Sequence, residues 1–97
     1  MKYIRTGSIL ALAVMAGCAG VGSQQVEVTG AGPEDLLKLR SGPSLGFNII
    51  MGLPDGTVLN QRRCVTEVGQ RWCEVSLADA SGVTGYVSAD YLQDVQR

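Results

Sequence analysis

The chain contains no histidine. That removes the side chain most often used as a general base near neutral pH, and the commonest metal ligand. A zinc site would have to be built without imidazole. Cysteine is scarce, with three residues, and aromatics are few: one tryptophan, one phenylalanine and three tyrosines. Neither sign of charge dominates, since eight basic residues stand against nine acidic ones. No basic stripe is present, so a nucleic-acid partner is not expected. There is no internal repeat or low-complexity tract. No window forms an amphipathic helix of ten or more residues. The adjacent acids Glu34 and Asp35 read as solvated loop residues. With no nucleophile set beside a base, neither an enzyme nor a bound cofactor is expected.

The first segment has an address written in it. Lys2 and Arg5 are followed by an apolar run from Ile9 to Ala16. At about eight residues it suits a signal peptide and is too short to cross a bilayer. Ala16 and Gly17 are the small residues a peptidase needs before a cut, and Cys18 follows at once. The arrangement resembles a bacterial lipoprotein signal, with Met15 where leucine is commonest. The alternative is an ordinary secretory signal with a chance cysteine. The resemblance implies removal of residues 1–17, lipid on Cys18 and a membrane anchor through that lipid, each buried methylene contributing about 0.8 kcal/mol. Residue 19 is alanine rather than aspartate, which points to the periplasm-facing inner leaflet of the outer membrane. Residues 18–25 are expected to be the lipidated cysteine and a flexible tether, its reach at most about 25 Å. Residues 26–97 are expected to form one small domain. Without Lys2 and Arg5, six bases oppose nine acids, so the exported chain is mildly acidic.

Two cysteines remain, Cys64 and Cys73, on either side of an alternating segment with a turn near Val68-Gly69-Gln70. If the turn centres on Val68-Gly69, the two cysteines face each other across a hairpin. A disulfide there fits an oxidising compartment and would contribute on the order of 2–3 kcal/mol. A redox or metal pair is the alternative, but eight intervening residues are not a CxxC spacing.

The remainder reads as short strands separated by turn residues. Segments 26–29, 36–40, 47–53, 57–66, 71–77, 83–88 and 93–96 are strand candidates, with a 3₁₀ turn over Ala89-Asp90-Tyr91-Leu92. Pro54-Asp55-Gly56 is a turn signal, with glycine at the position needing positive φ. A second turn is expected over Asp79 to Gly82. Leu37, Leu39, Ile50, Leu53, Val58, Val75 and Val87 are the expected core. Such spacing argues for an all-β barrel or sandwich.

Four ordered blocks carry a family resemblance. Leu37-Lys38-Leu39-Arg40-Ser41-Gly42-Pro43-Ser44 is similar to the opening of bacterial SH3 (SH3b) domains. Ile49 to Val58, Trp72-Cys73-Glu74-Val75 and Gly85-Tyr86-Val87-Ser88-Ala89-Asp90-Tyr91-Leu92 resemble three further blocks of that family. Val26 to Gly30 resembles an extra leading strand. Asn48, Arg71 and Tyr86 depart from the usual proline, glycine and tryptophan. The resemblance implies a small SH3-like barrel of about five to six short strands.

Candidate ligand-binding residues are the aromatics Trp72, Tyr91, Tyr86 and Phe47. Trp72 is three residues from Val75, so if Val75 points inward Trp72 points outward. Trp72 and Tyr91 match groove positions of eukaryotic SH3 domains, although Ser88 replaces a groove proline and PxxP peptides are not the expected ligand. The plainer alternative is that these rings only cover the barrel rim. Arg62 and Arg63 alternate sides of a strand, so one of them could meet a ligand. Two functions follow from the resemblance. One is a cell-envelope module recognising peptidoglycan or its stem peptides. The other is a protein-interaction lipoprotein, accessory to an envelope complex or inhibiting a wall-degrading enzyme. A monomer is expected.

Overall fold

A computed structural model describes residues 24–95. Cys18 and the signal segment lie outside the described residues. Seven strands form one antiparallel sheet: β1 (Gln24–Val28), β2 (Leu37–Arg40), β3 (Ile49–Leu53), β4 (Val58–Glu67), β5 (Gln70–Leu77), β6 (Ala80–Ser88) and β7 (Leu92–Asp94). A 3₁₀ turn, Ala89–Tyr91, joins β6 to β7. The strand order is β3-β2-β6-β5-β4-β1-β7, seven strands where five to six are expected from sequence. β1 starts at Gln24, so Gln24 and Gln25, expected in the tether, pair with Gln61 and Asn60.

The sheet curls around side chains drawn from six strands. Val26, Val28, Leu37, Leu39, Leu53, Leu59, Cys73, Val75 and Val87 form the core. Period-two alternation supplies them in β1 and β2, where Glu27, Lys38 and Arg40 take the other face. Two expected core residues are elsewhere. Val58 pairs with outward Glu27, whereas Leu59 pairs with buried Val26 and takes the core position. Ile50 is 46% exposed. It sits in a bulge between the Leu39–Met51 and Arg40–Ile49 pairs, and the bulge breaks the alternation there.

The turns are set by local chemistry. Thr57 N–H donates to the Pro54 carbonyl (3.1 Å), with Gly56 at φ 90°. The Asp55 carboxylate accepts from Ala31 N–H (2.8 Å) and Gly32 N–H (3.1 Å), tying that turn to the loop after β1. The β5–β6 turn comes earlier than expected, at Ala78 and Asp79. Leu77 pairs with Ala80 and Ser76 with Thr84, so residues 81–83 bulge out of β6 instead of forming the turn. A third bulge, in β4, puts Arg62 and Arg63 between the Gln61–Val75 and Cys64–Cys73 pairs. Both arginines are therefore exposed, and Arg63 pairs with Glu74 at 3.4 Å.

Gly85 is required by close approach. A Cβ at this position would lie 2.7 Å from the Arg40 carbonyl oxygen and 2.9 Å from Leu39. That crowding lets β6 reach β2, which it meets at the Arg40–Tyr86 pair, and so bends the sheet.

Candidate ligand-binding site

The β4–β5 hairpin sets the position of the single tryptophan. Glu67 pairs with Gln70 across a two-residue turn, placing Cys64 opposite Cys73, and the two are joined by a disulfide. Trp72 precedes Cys73 and lies between Val65 of β4 and Ser88 of β6. Cys73 and Val75 belong to the core, so Trp72 projects from the opposite face of β5. It is nevertheless only 5% exposed. The sequence pattern gives the face correctly, while the ring itself is buried beside the 3₁₀ turn.

Trp72 is the floor of two adjoining clefts that also share Leu45, Ser88 and Tyr91. One has a volume of about 260 Å³ and extends past Asp35, Lys38 and Arg40. The other, about 560 Å³, extends past Glu67, Val68 and Asp90. The lining thus has apolar walls, a rim of mixed charge at one end and an acidic rim at the other. Asp35 and Lys38 approach at 3.7 Å, but both are well exposed, so the pair holds little energy.

Each wall is held by specific hydrogen bonds. Arg40 Nη1 donates to the carbonyls of Leu45 (3.2 Å) and Phe47 (3.1 Å), fixing the β2–β3 loop. Ser41 N–H donates to the Asn48 carbonyl at 2.9 Å, closing the loop base. Thr29 N–H donates to the Tyr91 carbonyl at 2.9 Å. The Tyr91 ring runs close beside Gly30, where a Cβ would lie 3.6 Å from Tyr91 Cδ1. Gln70 Nε2 donates to Ser88 Oγ (2.8 Å) and Asp90 Oδ2 (3.4 Å). Ser88 thereby anchors a polar wall where a proline would offer none.

Of the four candidate aromatics, the fold brings Trp72 and Tyr91 together. Phe47 packs over Gly42, where a Cβ would lie 2.5 Å from the ring, and is not among the cleft linings. Tyr86 lies opposite Glu74 and Arg40, also off the linings. Two lining residues escape a sequence search for aromatics. Leu45 is 75% exposed in the β2–β3 loop, and Val68 is fully exposed at the β4–β5 turn. The available signal for Leu45 was an apolar residue placed between Ser44 and Gly46.

The family model described as bacterial SH3 domain matches residues 35–93. The chain belongs to the bacterial SH3 domain family. The match begins after β1, so the leading strand is an addition in front of the matched segment. No curated protein and no solved structure matches the chain.

Proposed function

We propose that this chain is a non-enzymatic envelope lipoprotein whose SH3 domain binds peptidoglycan, through its stem peptides, in the Trp72–Tyr91 cleft. Domains of this family are often involved in peptidoglycan or protein binding. The observation that carries the reading is the cleft itself. It has a tryptophan floor, walls of Leu45, Val68 and Tyr91, and both signs of charge on its rim. Such a lining suits a short peptide that alternates small apolar side chains with free amines and carboxylates. The lipid on Cys18 would hold the domain at the inner leaflet of the outer membrane, facing the wall.

The test is co-sedimentation of residues 19–97, which contain every described strand, with protein-free sacculi. Tyr91→Ala is the first variant, because Tyr91 is 39% exposed and its truncation spares the core. Saturable pelleting that Tyr91→Ala weakens, with its melting temperature unchanged, supports the reading. Absence of pelleting at every salt concentration overturns it, and a protein partner becomes the better account.

A further inference from the structure

The larger cleft beside Trp72 holds negative charge that nothing in its wall balances. Glu67 and Asp90 both line it, and of the described residues that line it none is basic. Strand register brings the two acids to one place. Glu67 pairs with Gln70 across the β4–β5 turn, so their side chains share a face. Gln70 Nε2 in turn donates to Asp90 Oδ2 at 3.4 Å. The two carboxylates therefore flank one amide. Among the described residues neither is in an ion pair. Arg71 follows Gln70 but takes the other face of β5 and lines a different cleft. A second observation concerns Trp72. It stands two residues beyond Gln70, so it shares that face, and its ring lines the cleft. The residue is buried, yet its indole N–H donates to no acceptor among the described residues. A buried indole N–H ordinarily has a partner.

We propose that the larger cleft selects peptides bearing a free primary amine, its ammonium held between Glu67 and Asp90 while a peptide carbonyl accepts from Trp72 Nε1. The inference rests on the stem-peptide reading above and names the group by which such a peptide is chosen. Charge sets the class: an unbalanced acidic cleft attracts a cation and repels an anion. An ammonium has three donors, enough to bond both carboxylates at once. Leu45 and Val68 offer apolar surface to the stem of an amine-bearing side chain. A bare metal ion is poorly served, since among the described residues no three acidic or cysteine side chains gather to hold one. Acylating the amine removes its charge and two of its three donors. A wall cross-link is such an acylation, so the domain should favour stem peptides whose amine is not yet cross-linked.

Calorimetric titration of residues 19–97 with two soluble muropeptides tests the proposal, the two differing only in whether the side-chain amine is free or acetylated. The parent chain should bind the free amine about tenfold more tightly, as two partly exposed ion pairs allow. The preference should shrink as salt is raised. The double variant Glu67→Gln/Asp90→Asn should bind both forms alike. Both residues are exposed, and a melting temperature close to that of the parent chain would show that the variant folds. The indole N–H resonance of the single tryptophan should shift on binding either form. Equal affinity of the parent chain for the two forms overturns the proposal and leaves the stem-peptide reading standing. A preference that survives in the double variant overturns it as well, because the amine is then read elsewhere. An indole resonance that stays in place during binding overturns the carbonyl contact. Binding of neither form overturns both the proposal and the stem-peptide reading.

Discussion

Val68→Asn should make this domain more stable, although it replaces an apolar side chain by a polar one. The hairpin turn has two central residues, Val68 at φ 51° and Gly69 at φ 79°. Two positive φ values in a two-residue loop define a type I′ turn, whose preferred first residue is asparagine or glycine. A branched Cβ in this left-handed region crowds the following carbonyl and costs about 1–2 kcal/mol. No packing offsets that cost, because the side chain is fully exposed. Asparagine tolerates the same φ, so the substitution should recover about 1 kcal/mol, or roughly 4–8 °C in melting temperature for a domain of this size. Val68→Ala removes the branching but lacks an amide that can hydrogen-bond locally, and should gain less. The assay is thermal unfolding of residues 19–97 with the disulfide intact. A melting temperature equal to or below that of the parent chain would refute the strain argument. Because Val68 also lines the larger cleft, the stabilised variant should bind sacculi more weakly, which is the pattern expected when strain is kept at a functional surface.

Two further outcomes follow from the packing. Gly85→Ala should lower stability by about 1–3 kcal/mol in urea unfolding, because its Cβ meets backbone at Arg40. Gly82→Ala in the same strand meets nothing within 4 Å and serves as the control that should not lose stability. Replacing both Cys64 and Cys73 by alanine should cost about 2–3 kcal/mol from the lost cross-link, plus a smaller share for the cavity at buried Cys73. Equal stability of the double variant and the parent chain would remove the disulfide from the account.

The hairpin was legible because two signals agree. Alternation runs up to Val68, Gly69 marks the turn, and the count then places Cys64 opposite Cys73. The four sequence blocks pointed to the fold. What failed were phase and cover. Ile50 looked buried because it is apolar, whereas it stands three residues from buried Leu53, on the other face of β3, and the bulge leaves it unpaired. Val58 lost its place to Leu59 because the pairing with β1 sets which of two adjacent apolar residues faces inward. A one-residue ambiguity of this kind exchanges the two faces of a strand. Trp72 shows the limit for the site. Strand period fixes the face a side chain takes, but not the path of the β2–β3 loop, which Arg40 holds by bonding to the Leu45 and Phe47 carbonyls. Periodicity does not reach into an irregular loop, so Leu45 went unnoticed and Phe47 was placed in the wrong company.

The most direct measurement is the fluorescence of Trp72 during titration with soluble wall muropeptides. The chain has one tryptophan, so the signal has one source. The free protein should emit toward the blue and resist iodide quenching, as a ring 5% exposed requires. Saturable change in emission on adding muropeptides, reduced in Tyr91→Ala, is the result this account predicts. Emission that stays constant while the same protein pellets with sacculi would contradict it, because the wall would then be bound away from the Trp72–Tyr91 cleft.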